Sequence, residues 1–382
     1  MRTTFKTLLF AAAATVLAAC EKQPAEDVRP LSTSEAQNTQ LLGSGAAHEK
    51  VARKLAKTLA NAGVRDFLKA EALKKFDGDY DVLFTRLLDY AAQHPETAEL
   101  QELATITSKF PLLNVAVPVN IDKWDAASFT PLVAYLPDHF DEKSTAPIAA
   151  FDATGTVHLL DSRQAPTVPV IVISQNERTE LAQGKVGLKQ GLIAITAASK
   201  KASTSQPTAN LHNGEFCGTM PFDEVLYLRG LRSNNISAIE SWANGAPEIR
   251  MYIHYLDQNS NVQKVLYGGG SDAGNLWEPN RRSNMDERWW YLTDRLVRWS
   301  PAYGDILNFT YWEDDGGSII SWPIKIEGRV AGFKITSDFT INIRDDDEKI
   351  GTFPVDRTFC ANSDLRAHGN DLLKFMLDYD PY

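Results

Sequence analysis

Apolar residues follow two different periods along this chain, and the change between them falls near residue 110. Val51, Leu55 and Leu59 recur at helical spacing, with Lys50, Arg53, Lys54 and Lys57 on the other faces. Gly63 interrupts that pattern and the stretch from Asp66 to Leu73 resumes it. A third helix is predicted over Val82–Gln93, and a fourth after Pro95, where proline suits a first turn. After Lys109 the runs become alternating or continuously apolar. Leu112–Val119, Pro131–Leu136, Ile148–Phe151, Val157–Leu160, Val168–Ser174 and Leu192–Ala197 read as strands bounded by Pro, Asp, Gly and Asn. No helical pattern separates them, which predicts a mainly antiparallel sheet.

The polar stretch 201–213 reads as a linker or long loop, and the rest of the chain as all-β. Met251–Leu256 and Val262–Tyr267 flank a hairpin loop at Asp257–Asn261. Phe333, Ile335, Phe339, Ile341 and Ile343 share one strand face, and Leu307, Phe309 and Tyr311 share another. Six of the eight tryptophans lie between Trp277 and Trp322, which places the heaviest aromatic core there. The expected fold class is α+β: a small N-terminal helical part (47–110), a β region (111–200), then a predominantly antiparallel β-sandwich over 214–382.

The N-terminus changes the picture. Arg2 and Lys6 precede an apolar run, Leu8–Val16, too short to span a bilayer, which takes about 20 residues. Small residues follow at Ala18 and Ala19, so residues 1–19 read as a removable export signal. With Cys20 at the cut, Leu17-Ala18-Ala19-Cys20 resembles the lipobox of bacterial lipoproteins. That resemblance implies lipidation of Cys20, a membrane partner reached through the anchor, and a place in the cell envelope. Glu21 after the cysteine resembles the pattern of lipoproteins sent to the outer membrane. Residues 20–46, rich in Pro, Ser, Thr and Gly, then form a flexible tether. With Cys20 taken by the anchor, Cys217 and Cys360 are left in an oxidising space and are expected to pair; the alternative is two separate buried thiols. The formal charge of −10 becomes −12 once Arg2 and Lys6 leave with the signal, which argues against nucleic acid and anionic lipid surfaces as partners.

Two acidic loops are the foremost candidates for chemistry: Glu313-Asp314-Asp315 after one strand and Asp345-Asp346-Asp347 after another. Clustered loop carboxylates supply the six to eight hard oxygens that calcium takes, and a cation relieves the repulsion between adjacent like charges. Solvated hairpin tips, where Asp and Gly are ordinary turn residues, are the competing reading. The region 300–355 resembles the loop pattern of C2-type sandwiches. Asp77-Gly78-Asp79-Tyr80-Asp81 opens like an EF-hand loop but has Val82 and Leu88 where Gly and Glu are required, so it reads as a connecting turn. Ser271 in the glycine run 268–274 lacks nucleophile-elbow spacing, and the seven histidines show no zinc spacing.

Phe76–Asp81, Phe110–Val115 and Ile171–Arg178, together with the lipobox and tether, resemble uncharacterised bacterial lipoproteins known only as domains of unknown function. The expectation is a lipid-anchored binding or structural module, calcium-stabilised, with a protein or glycan ligand. The alternative is a hydrolase of envelope polymers or peptides using acidic loop residues.

Overall fold

The computed structural model describes residues 44–137, 140–188, 215–265, 275–277, 279, 281–315, 318–345 and 347–379. Cys20, residues 21–43 of the tether and the linker at 201–213 lie outside them, as do the strand expected at Leu192–Ala197 and the glycine run at 268–274; the last three tether residues, 44–46, instead open the first helix.

Helix α1 (Ser44–Thr58) buries Val51, Ala52, Leu55 and Ala56 on one stripe. Its basic face is tied to acids, with Lys54 on Glu102 and Arg53 on Glu49, so these side chains form a solvated, paired surface. Asn61 caps α2 (Ala62–Ala72) by accepting from the Gly63 N–H at 2.8 Å. The predicted third helix starts late, because Asp81–Leu83 is strand β1, with Val82 opposite Val115, and α3 covers Phe84–Gln93. Pro95 does begin a helical segment, but a 3₁₀ one (Pro95–Leu103) running into the short α4 (Ala104–Thr107).

These helices cover one face of a six-stranded sheet formed with β2 (Leu113–Val119), β3 (Leu132–Tyr135), β4 (Ile148–Phe151), β5 (Val157–Leu160) and β6 (Val170–Gln175), in the order β1-β2-β6-β3-β4-β5. Four of its pairings are antiparallel, as the pattern predicts, whereas β3 and β6 run parallel. The connection between those two is made by β4 and β5 instead of a helix, which is why no helical period marks it. Leu113, Val115, Ile171 and Ile173 pack under the helices, while Ala116, Ala134, Val170 and Val172 face Trp242 and Ala243 from the second half of the chain. A near-continuous apolar run is the signature of a strand buried on both faces.

A small hairpin, β7 (Thr179–Ala182) with β8 (Lys185–Leu188), follows. Strand β9 (Phe216–Thr219) precedes β10 (Val225–Arg232), β11 (Ile249–Leu256), β12 (Val262–Lys264), β13 (Asn275–Trp277), β14 (Trp290–Arg298) and β15 (Ile306–Glu313). The last six are β16 (Ile319–Val330), β17 (Phe333–Arg344), β18 (Lys349–Asp356), β19 (Thr358–Ala361), β20 (His368–Gly369) and β21 (Lys374–Tyr379). One sheet orders β14-β10-β21-β20; another orders β12-β11-β15-β18, with β13 on β11. Leu226, Leu228, Phe375 and Leu377 of the first share one core with Ile249, Ile253, Leu307, Phe309 and Tyr311 of the second. Strand β15 is buried along its whole length, not half-buried as its alternation suggests. Its outer face is covered by the β16–β17 hairpin, through Trp312 against Ile324, Ile326 and Ile341 and through Asn308, which donates to the Glu327 carbonyl at 2.8 Å. Strands β9 and β19 pair with Cys217 opposite Cys360, and the two sulfurs are 2.05 Å apart.

Candidate functional site

The segment between β10 and β11 plugs the face of the six-stranded sheet away from the helices. Trp242 donates from Nε1 to the Asp161 carbonyl at 2.8 Å, and Arg163 donates to the Ser237 carbonyl at 2.7 Å. Docking this plug brings Glu240 and Glu248 against the ends of β1, β2 and β6. Gly245 makes the approach possible: its φ of +120° suits glycine, and a Cβ there would strike the Asp79 carboxylate. From the other side comes Glu313, the last residue of β15 and opposite Ile249 of β11; it accepts from the Glu248 N–H at 3.1 Å.

The result is a buried cluster of carboxylates. Glu240, Glu248 and Glu313 are 2%, 7% and 0% exposed, and each places an oxygen within 4.8 Å of the others'. Beside them, a space of about 20 Å³, enough for one water-sized particle, is lined by Asp79, Asp81, Asn114, Glu177, Glu240 and Glu248. Two guanidiniums enter: Arg178 pairs with Glu248, and Arg282 donates to the Glu240 carbonyl at 2.7 Å. Asn176 donates to Asp77 at 2.6 Å and to Asp81 at 3.0 Å, closing the far end.

Burial dominates the electrostatics. Desolvation, reinforced by Glu142, pushes the Glu240 carboxyl well above the usual range, and desolvation with Glu240 does the same to Glu313. Asp315 is raised by burial and by Glu313; the two carboxyls face each other, a contact that is a hydrogen bond only if one holds a proton. Asp81 is raised by burial and by Asp77 and Asp79. Glu142, which accepts from the Ser241 N–H at 2.7 Å, is pushed up to about 8 by burial and by Glu177. Glu240 Oε2, Glu313 Oε2 and Asp315 Oδ1 are buried without a hydrogen-bond partner, as is Asn114 Oδ1. Hard oxygens crowded at this spacing are the donor set of a cation such as calcium.

Of the acidic loop residues singled out from the sequence, Glu313 and Asp315 turn inward to this cluster. Asp314 instead pairs with Arg250 at 2.5 Å. Asp345 accepts from the exposed Ser318 N–H at 2.6 Å, and Asp347 accepts from the N–H groups of Asp315 and Arg344 at 3.1 and 2.8 Å. Asp346 lies outside the described residues. The five described ones therefore divide between an interior site and loop ties. The Asp77–Asp81 segment does connect α2 to β1, yet its carboxylates belong to the cluster, a role the failed EF-hand spacing concealed. Glu240 and Glu248 carry no local signal at all. Glu313 does carry one: Leu307, Phe309 and Tyr311 point into the core, and period two extends that face to residue 313.

Residues 44–213 match the model of a family described as a protein of unknown function (DUF3103). No curated protein and no solved structure matches the chain. The matched span contains Asp77–Asp81, Asn114, Glu142 and Glu177, whereas Glu240, Glu248 and Glu313 lie beyond it, so the cluster joins that span to the remainder of the chain.

Proposed function

We propose that this chain is a binding or structural module of the bacterial cell envelope, anchored in the outer membrane through lipidated Cys20, with a sandwich body held to its N-terminal half by calcium. The observation that carries the cation is the convergence of Glu240, Glu248 and Glu313 with Glu240 Oε2 and Glu313 Oε2 left unpartnered in the interior. Several kcal/mol is the cost of burying each unpaired carboxylate, and a divalent ion offsets it for several at once. A groove of about 520 Å³, with Lys123, Arg163 and Arg281 on its walls, adjoins the cluster and suits a protein or glycan ligand. The anchor rests on Leu17-Ala18-Ala19-Cys20.

The test is the metal content of the full chain and its melting temperature after chelation and on titration with calcium. Bound calcium and a melting temperature that climbs with added ion are expected; neither binding nor a shift overturns the reading. One observation favours the alternative of a hydrolase of envelope polymers or peptides: Asp79 and Arg282 line the groove as well, so the groove reaches the carboxylates. Hydrolysis abolished by Asp79→Asn would establish it.

A further inference from the structure

We propose that the cluster holds two divalent cations side by side, sharing Glu240. The inference rests on the cation reading above and extends it to a second position with its own ligands.

The two positions are separable in the structure. The first is the meeting point of Glu240, Glu248 and Glu313, with Asp315 facing Glu313. The second is the water-sized space walled by Asp79, Asp81, Asn114 and Glu177, with Arg178 also in its wall, where neither Glu313 nor Asp315 is part of the lining. Glu240 and Glu248 belong to both. Arg178 already takes Oε1 of Glu248, so Glu240 is the carboxylate best able to bridge. Carboxylates bridge paired ions in this manner at separations of about 3.5–4 Å.

Each position has an unpartnered buried acceptor. At the first it is Glu313 Oε2; at the second it is Asn114 Oδ1, in a side chain only 2% exposed. The Asn114 amide already hydrogen-bonds Asp81, which leaves its oxygen as the atom without a donor. A cation satisfies it directly, since neutral amide oxygens are ordinary calcium ligands. The charge balance points the same way. Asp77, Asp79, Asp81, Glu142, Glu177, Glu240, Glu248, Glu313 and Asp315 act on one another there, against the guanidiniums of Arg178 and Arg282. One divalent ion held by Glu240, Glu248 and Glu313 leaves Asp79, Asp81 and Glu177 around the second space with Arg178 as the guanidinium beside them.

The full chain, stripped by chelation, is titrated with calcium, and bound ion is counted by elemental analysis. Two equivalents are expected. Asn114→Ala and Asp81→Asn each reduce the count to one; Glu313→Gln also reduces it to one, by removing the other position; Glu240→Gln weakens both at least tenfold. With manganese in place of calcium, the wild-type chain shows the spin-coupled spectrum of a neighbouring pair and Asn114→Ala the spectrum of an isolated ion. Because Asn114→Ala removes no charge, its folding is checked independently by circular dichroism, and the wild-type count stands without any variant. One equivalent in the wild type, unchanged by Asn114→Ala and Asp81→Asn, overturns the second position while leaving the first cation standing. No bound ion overturns the cation reading itself.

Discussion

Strands β15 and β17 end alike and fare differently. Each presents alternate apolar residues to one face, Leu307, Phe309 and Tyr311 in one and Phe339, Ile341 and Ile343 in the other, and each is followed on that face by an acid, Glu313 or Asp345. Glu313 is wholly buried among carboxylates, whereas Asp345 is exposed and ties a loop. The cause is what lies beyond and beside the strand. β15 sits between β11 and β18, has the β16–β17 hairpin over its outer face, and runs into the plug that carries Glu240. Among the described residues β17 pairs with β16, and its end is tied to Ser318 through the exposed Asp345. Periodicity fixes the face a side chain takes, but depth is fixed by neighbours.

The largest effect that tests this contrast is a change of sign. Glu313→Gln keeps the side-chain volume but removes the carboxylate and with it one of the proposed ion ligands. In calcium at about a hundred times its dissociation constant, loss of the ion costs about 2.7 kcal/mol, so the variant melts several degrees below the wild type. In chelator, where no cation offsets the burial of the carboxylates, the same variant melts above the wild type. Thermal melts under both conditions decide it; a variant that shifts in the same direction in both would place Glu313 outside any cation site.

A second comparison uses a buried base under the same hairpin. His254 of β11 is wholly buried against Phe339 of β17, its ring centre 5.3 Å from the phenyl, and burial followed by Lys264 pushes its pKa down to about 4. The unfolded chain takes up a proton near pH 6.5 and the folded one does not until about 4, so the unfolded state binds more protons between those values. Stability from this group is therefore full above about 6.5 and falls as the pH drops towards 4, by up to about 3 kcal/mol at 1.4 kcal/mol per unit. Raised carboxyls act in the opposite sense: Glu142, at about 8, gains stability for the ion-free chain as the pH falls from there towards the ordinary carboxylate range. Melting in chelator across this range, with His254→Phe removing the acid-side loss, separates the two. A loss unchanged by that substitution would mean His254 does not titrate with folding.

Much of this was legible from residues alone. The helical period at 51–59, the strands at 113–119, 148–151 and 170–175, and the β11–β12 hairpin follow from spacing, and the pairing of Cys217 with Cys360 follows from counting cysteines. The parallel β3–β6 pair was hidden because its crossover is made of strands. The cluster was half legible. Glu313 and Asp315 stand out as loop acids, but Asp79 and Asp81 form half of a motif that fails, and Glu240 and Glu248 sit in a plug whose position depends on contacts such as Trp242 with Asp161. Sites assembled from many separated segments leave no local spacing to read.

Asp347 sharpens the comparison at smaller scale. It is 6% exposed and accepts from two backbone N–H groups, those of Asp315 and Arg344. Asp347→Ala leaves two donors without an acceptor and is expected to cost about 1–2 kcal/mol, equally in calcium and in chelator. Dependence on calcium would make Asp347 part of the ion's surroundings and extend the site into the second acidic loop.

The smallest effect belongs to Asp345, the counterpart of Glu313. Among the described residues its carboxylate accepts one N–H, from Ser318, and water can replace that bond because the group is exposed. Asp345→Ala should therefore change stability by no more than about 0.5 kcal/mol, with no difference between calcium and chelator and no change in the number of ions bound. The direction of any residual change is a loss, since the loop joining β15 to β16 keeps one fewer tie to the end of β17. A loss of bound calcium on this substitution would show that the two strand ends act together, and the contrast drawn from their burial would fall.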